Sequence, residues 1–359
     1  VRTWFGATAG EDEIETNDPA ERNLTMTNVT FLGSGGFSTA LAIHLARQAT
    51  SRATIWGRDA AFCERLGAVR VNDRHLPGFP IPATVNITSD IHLAVAEADL
   101  IVASVPTVHL RKTLEAIRCE IPPGLPLLSL VKGLEIGTMA RPSQIAAEVL
   151  GDRKLAVLSG PSHAEEVAEG RPTSVVVASD DFEFAETVRS IFNSGPLRVY
   201  VNQDPVGVEL AGALKNIMGI AAGICDGLGF GDNAKAALLT RGLVEMTRFA
   251  VAHGAKPATF FGLAGVGDLM TTCFSPHGRN RALGERLAQG LSLQQAQAAT
   301  SNVVEGVFTT ASVARAARKM QIEMPITMAV ERILAGEMSP REAVVDLMSR
   351  PAKDENFEY

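Results

Sequence analysis

From Asn28 onward, short runs rich in Val, Ile and Leu recur along the chain, separated by stretches whose apolar positions follow helical spacing. The runs are 29–32, 53–56, 99–106 (DLIVASVP), 125–133 (LPLLSLVKG), 154–161 (KLAVLSGP), 173–179 (TSVVVAS) and 198–204 (RVYVNQD). Residues 38–48 and segments near 107–118, 141–150 and 181–193 read as helices, and Asp59 is placed to cap another. Near-continuous apolar runs belong to strands covered on both faces, and their alternation with helices points to a mainly parallel sheet. The pattern predicts an α/β unit over 27–203.

After residue 204 the strand signals stop. Residues 204–254 read as helix throughout with glycines inside it, and 281–289, 292–299, 309–318, 325–335 and 339–348 repeat the helical period. This predicts an all-α unit over 204–352, joined to the first near Asn202–Pro205. Residues 1–26 carry six acids against two arginines and no apolar stretch, so they read as a disordered acidic extension, neither secretory signal nor transit peptide. A short tail over 353–359 closes the chain.

At 359 residues and 46% hydrophobic, the chain has ample apolar material for two cores. A net charge of −7 argues against nucleic acid or an anionic membrane as partner. No run reaches the roughly 18 apolar residues of a membrane span, because Glu209, Lys215 and Asp226 interrupt the best candidate. The four cysteines form no CxxC pair, and no His/Cys/carboxylate spacing suggests a metal. A reducing, cytoplasmic setting is the simplest expectation. Any anionic ligand must be held by a local device.

Such a device stands at Gly33-Ser34-Gly35-Gly36-Phe37-Ser38, between a strand and a helix. Gly33 permits the tight turn, Gly35 lets backbone N–H groups approach a diphosphate, and Ser38 takes the place of the third glycine of GxGxxG. A glycine turn without a ligand is the bland alternative. The second strand ends in Gly57-Arg58 where an NAD-reading carboxylate would stand, so Arg58 is a candidate for a 2′-phosphate and NADP(H) is favoured over NAD(H). The alternative is a solvated arginine, with Asp59 as a helix cap.

Lys132 falls at the carboxyl end of a buried strand, where open α/β sheets present ligands, although a lysine there also reaches solvent. Lys215 lies in an apolar helix with Ala211, Gly212, Met218 and Gly219 three and four positions away. Small neighbours let another element press close, desolvate the ammonium and lower its pKa, which suits a proton donor to a carbonyl. A snorkelling lysine is the alternative, against which stands the second polar group, Asn216. Further on, Asp268 follows a glycine turn, and Gly278-Arg279-Asn280 opens a helix where free N–H groups, a guanidinium and an amide suit a phosphate. A capped, solvent-facing helix explains the same residues. His163 is a lone histidine, read as structural or as a support behind the ligand-contacting residues.

Taken together, GSGGFSTAL, WGRD, VKGLE, SGPSHAEEVAEGRPTSVVVAS, the long segment around Lys215, GVGDLMTTC, GRNR and VVEG resemble the NAD(P)-dependent glycerol-3-phosphate dehydrogenase family of bacterial type, in order across 28–350. The resemblance implies an α/β Rossmann-type dinucleotide-binding domain over 27–203, followed by an all-α substrate and catalytic domain over 204–352. The activity it implies is reversible reduction of dihydroxyacetone phosphate to sn-glycerol 3-phosphate, feeding glycerophospholipid synthesis. It implies that Lys215 is the proton donor and acceptor, and that Lys132, Gly160, Ser162, Asn216, Asp268, Thr272, Gly278, Arg279 and Asn280 bind substrate. Cofactor positions are Gly33, Ser34, Gly35, Gly36, Phe37, Arg58, Lys132, Ala164, Arg279, Val303 and Glu305. Two departures stand out, Ser38 for glycine and Gly278 where bacterial members commonly carry serine. The alternatives are a dehydrogenase of the same architecture with another small polar substrate, and a non-catalytic nucleotide sensor. A homodimer is left open.

Overall fold

The computed structural model describes residues 26–276, 278–299, 303–351 and 354–355. The acidic extension, apart from Met26, and most of the expected tail lie outside the described residues. The strands are β1 (Thr27–Leu32), β2 (Ser51–Trp56), β3 (Val71–Asn72), β4 (Leu76–Pro80), β5 (Asn86–Thr88), β6 (Leu100–Ala103), β7 (Gly124–Ser129), β8 (Arg153–Ser159), β9 (Thr173–Ala178) and β10 (Leu197–Asn202). Interleaved helices are α1 (Gly36–Leu45), α2 (Ala60–Val69), α3 (Ile91–Val95), α4 (Thr107–Ile117), α5 (Pro142–Leu150), α6 (Ala164–Glu169) and α7 (Phe182–Phe192). Helices alone follow: α8 (Pro205–Gly227), α9 (Gly231–Val251), α10 (Asp268–Phe274), α11 (Arg279–Ala288), α12 (Leu293–Ala298), α13 (Glu305–Met320), α14 (Pro325–Leu334) and α15 (Pro340–Met348).

Eight strands form one sheet in the order β10-β9-β8-β7-β6-β1-β2-β5, and β3 pairs with β4 separately. All neighbours in the large sheet run parallel except β8 and β9. The link between those two carries only the six-residue α6, and the chain returns along the adjacent edge without crossing the sheet. Strands β3, β4 and β5 carry no long apolar run, which is why the hydrophobic pattern did not announce them.

The period of two decides what covers each face. Val29, Phe31, Leu100, Val102, Ala156, Leu158, Val175 and Val177 point into a core shared with α1, α6 and α7. Leu32, Ile101, Ala103, Leu125 and Leu127 point the other way, beneath α3, α4 and α5. Further along that second face, Val157, Val176 and Ala178 meet α8. So α8 both covers the sheet and forms the axis of the helical half. It is long and apolar enough to cross a membrane by length and composition, but its apolar stretch is wholly enclosed in this core.

The stretch expected as unbroken helix is interrupted at residues 228–230, where Gly229 (φ 70°) adopts a left-handed backbone, as does Gly231 (φ 77°) at the start of α9. Gly219, Gly223 and Gly227 recur every four residues and so share one side of α8. A Cβ on Gly223 would sit 1.9 Å from the Arg281 carbonyl oxygen, and one on Gly284 of α11 would sit 2.1 Å from the Ile220 carbonyl. The two backbones are therefore nearly in contact. Glycine inside a helix costs about 1 kcal/mol relative to alanine, and the close α8–α11 packing offsets it.

Gly223→Ala is expected to destabilise the fold by about 1–3 kcal/mol or more through overpacking against backbone. Chemical denaturation measures it; an unchanged midpoint would mean that α11 moves freely away from α8.

Candidate active site

A cleft of about 790 Å³ opens where the carboxyl ends of β1, β2, β6 and β7 face α8 and α11. On its floor, Gly33 turns with φ 128°, and a Cβ there would lie 2.9 Å from Ser104 Oγ. The residues from Gly33 to Ser38 line the cleft, and α1 begins behind Gly35 with no side chain capping its first N–H groups. Ser38, only 1% exposed, donates its hydroxyl to the carbonyls of Gly33 (2.8 Å) and Gly35 (3.0 Å). The serine that replaces the third glycine thus braces the loop instead of obstructing it.

At the far end of the cleft stand Arg58, Asp59, Phe62, Arg74 and His75. Asp59 caps α2 by accepting from the Phe62 N–H at 3.0 Å. Arg74 stacks over the Phe62 ring, 4.9 Å from its centroid, while Arg65 on the same ring is paired with Asp73. Arg74 and His75 escaped the sequence reading, since they arrive on the β3–β4 turn and belong to no glycine motif or strand end. His163, read as structural or supporting, lines the cleft with Ser162 and Ala164 at the start of α6.

The opposite end gathers the charged groups. Lys215 Nζ donates to Asp268 Oδ1 at 2.7 Å and to Thr272 Oγ1 at 2.8 Å. Lys132 Nζ donates to Asp268 Oδ2 at 2.8 Å and to the Gly160 carbonyl at 3.0 Å. One carboxylate therefore binds two ammonium groups, one oxygen each. Both lysines reach the cleft wall, whereas Asp268 and Thr272 lie beneath it, 2% and 8% exposed. Asp268 does not follow a simple glycine turn: a π-helical turn over Leu263–Gly267 runs directly into α10, and Asp268 is its first residue.

Burial brings the Lys215 ammonium down to about 8; Asp268 opposes the shift and the nearby Lys132 charge adds to it. Burial pushes the Asp268 carboxyl up, but the charges of Lys132 and Lys215 outweigh it and hold it below the ordinary carboxylate range. Cys273, one turn from Asp268, is pushed up to about 12 by burial and stays a thiol.

Between the two ends runs a chain of amides. Asn280 Nδ2 donates to Asn216 Oδ1 (2.9 Å), Asn280 Oδ1 accepts from the Gly306 N–H (3.0 Å), and Asn216 Nδ2 reaches the Lys132 carbonyl at 3.4 Å. Arg279 is exposed at the cleft and donates to the Val303 carbonyl at 3.1 Å. Glu305 accepts from the Thr107 N–H at 3.2 Å, and burial pushes its carboxyl up. Gly278 is the N-cap of α11, where a Cβ would come within 3.0 Å of the Thr272 carbonyl. Behind this layer, Asp226 takes Arg281 (2.6 Å) and Lys235 (2.8 Å), fixing α11 to the ends of α8 and α9. Among the described residues, no group of three or more His, Cys, Asp or Glu is arranged to hold a metal.

Models of the NAD-dependent glycerol-3-phosphate dehydrogenase N-terminus and C-terminus match residues 28–185 and 204–345. The chain is 46% identical over 334 residues to a glycerol-3-phosphate dehydrogenase [NAD(P)+] of Salinibacter ruber, covering 92% of this chain and 97% of that one. A Chlorobium limicola protein of the same name is 44% identical, covering 92% and 100% of the two chains. The crystal structure of glycerol-3-phosphate dehydrogenase from Coxiella burnetii superposes with a TM-score of 0.87 at 37% identity, covering 91% of this chain and all of that one.

Asp268→Asn removes the charge that opposes desolvation of Lys215. The Lys215 pKa is expected to fall from about 8 by roughly 1 unit or more, read by NMR titration of its Cε and Nζ. An unchanged value would mean that Asp268 does not set the charge of Lys215.

Proposed function

The chain belongs to the NAD-dependent glycerol-3-phosphate dehydrogenase family and is an NAD(P)-dependent oxidoreductase; we propose that Lys215, Lys132 and Asp268 carry its reversible reduction of dihydroxyacetone phosphate to sn-glycerol 3-phosphate. The single observation behind these roles is the pair of ammonium groups held by one buried carboxylate at the wall of the cleft.

The cofactor fits the residues at the other end. The uncapped N-terminus of α1 and the glycine loop before it offer backbone N–H groups to a diphosphate. Phe37, Ala164, Val303 and Glu305 form the walls around it. Arg58 would pair with a 2′-phosphate, which favours NADP(H) without excluding NAD(H). When bound, the nicotinamide supplies hydride to the ketone carbon or takes it back.

The chain's own work is to orient the substrate and manage one proton. Lys215 stabilises the negative charge that grows on the C2 oxygen and donates a proton to it; as a free amine it accepts that proton in the oxidative direction. Asp268 keeps Lys215 from losing its charge too early and aims it at the cleft. Lys132 holds the substrate beside Lys215 on the same wall, and Ser162 also lines the cleft. Arg279, with the N–H groups at the start of α11 and the amides of Asn216 and Asn280, takes the phosphate. Anchoring that remote group orients an otherwise small and featureless molecule. Placement at the entry to glycerophospholipid synthesis belongs to the same proposal, as does a cytoplasmic setting, which the four unpaired cysteines support.

The sign of the pH dependence follows from Lys215. Reduction needs the ammonium, so its kcat is expected to be full at low pH and to fall as pH rises through about 8, while oxidation rises over the same interval. Parallel profiles in both directions would remove Lys215 from the proton path. Lys215→Ala is expected to lower kcat by about 10²-fold or more, and Arg279→Ala to raise the substrate KM roughly tenfold or more. Arg58→Ala should raise KM for NADPH roughly five- to tenfold with little change for NADH; equal losses with both would reject its 2′-phosphate role.

A further inference from the structure

Six residues before Lys215 on the same helix lies a second buried charge that the reaction does not use. Glu209 is 4% exposed and sits on the side of α8 that faces the start of α5. Its Oε1 accepts from the Ser143 N–H at 2.8 Å, and its Oε2 accepts from Arg141 Nη1 and from Ser143 Oγ, both at 2.6 Å. A carboxylate from the helical half therefore satisfies an otherwise free N–H in the first turn of a helix from the sheet half. Burial pushes its carboxyl up, and the Arg141 charge and the Ser143 donors oppose that.

The segment that ends in this contact is the one that carries Lys132. Residues 130–141 leave β7 and enter α5. The N–H of Leu130 donates to the Ala103 carbonyl (2.9 Å), which fixes one end to the sheet. In the middle, the Glu135 side chain accepts from Arg111 Nε and Nη2 (2.7 and 2.9 Å), and its backbone pairs with Ala140 and Met139. The segment is thus braced and can pass a displacement of its far end back to Lys132. Along α8, six residues span about 9 Å, so Glu209 and Lys215 are two fixed points on one rod. Each faces a different part of the same segment: Glu209 its exit, Lys215 the ammonium of Lys132 across Asp268.

We propose that Glu209 is a positioning residue, whose grip on Arg141 and Ser143 registers the Lys215 helix against the Lys132 segment. The inference rests on the roles proposed above for the two lysines. Loosening this contact lets Lys132 drift from Asp268 while both lysines remain present. A positive charge then leaves the surroundings of Lys215, whose charged and titratable neighbours are Asp268, Lys132 and Cys273. The proton-transfer inflection must then move upward. A general loss of stability has no such signature.

The test is a double-mutant cycle on the full-length enzyme, with dihydroxyacetone phosphate and NADPH. Glu209→Ala is expected to lower kcat/KM roughly tenfold or more and to raise the pH at which reduction is lost. Glu209→Gln, which keeps an acceptor for the Ser143 N–H, should recover most of the rate. In a Lys132→Met background, Glu209→Ala should cost less than about twofold further, because the two changes act through one contact. Multiplicative losses in the double mutant, or an unshifted inflection in Glu209→Ala, would overturn the inference. If Glu209→Ala does not fold, Arg141→Met combined with Ser143→Ala removes the two side-chain contacts on Glu209 Oε2, leaving only the Ser143 N–H, and must move the rate and the inflection in the same directions by a smaller amount. A Lys132→Met enzyme with wild-type kcat/KM would instead sink the role of Lys132 itself, whatever Glu209 does.

Discussion

Two ammonium groups directed into one cleft repel each other, and burial disfavours the charge on Lys215. Asp268 resolves both difficulties by giving one oxygen to each lysine from beneath the cleft wall. The trio leaves one net positive charge at the wall while Lys215 is protonated. With Arg279 nearby, this makes the cleft a local attractor for an anion on a chain whose overall charge is −7. The balance is also adjustable, because a buried lysine near neutrality has its charge set by the distance to its neighbours.

That arrangement requires α8 and α10 to lie at close range, and the glycines of α8 supply the range. Gly219 leaves room for Thr272 and Asn280, where a Cβ would come within 2.9 and 3.1 Å. Gly212 leaves room for Ser159 and the stem of Lys132. The polar groups that meet over α8 thus come from four separate segments of the chain, brought together over positions without side chains. Asp226, Lys235 and Arg281 then tie the far end of the same helix.

How much of this was legible in the residues depends on how local each signal is. Strands dominated by apolar and β-branched residues stood out, as did the glycine loop, because each is written in adjacent positions. The β3–β4 hairpin carries Pro77, Gly78 and Pro80 in place of an apolar run, so Arg74 and His75 went unseen until the fold brought them to the rim. Lys215 was conspicuous because a charge in an apolar helix with small neighbours needs an explanation. The double use of Asp268 had no such mark, since two lysines far apart in sequence meet it only through tertiary packing. The reversal of β9 against β8 escaped for a similar reason, as strand composition does not encode direction.

The placement of α8 over β8 and β9 bears on how the chain can be divided. Two family models match it as separate stretches, yet Val157, Val176 and Ala178 of the sheet share one core with α8. A fragment cut after β10 would leave those side chains bare, and the complementary fragment would expose the helix that should cover them. The boundary visible in the sequence falls between two styles of secondary structure, while this core runs across it.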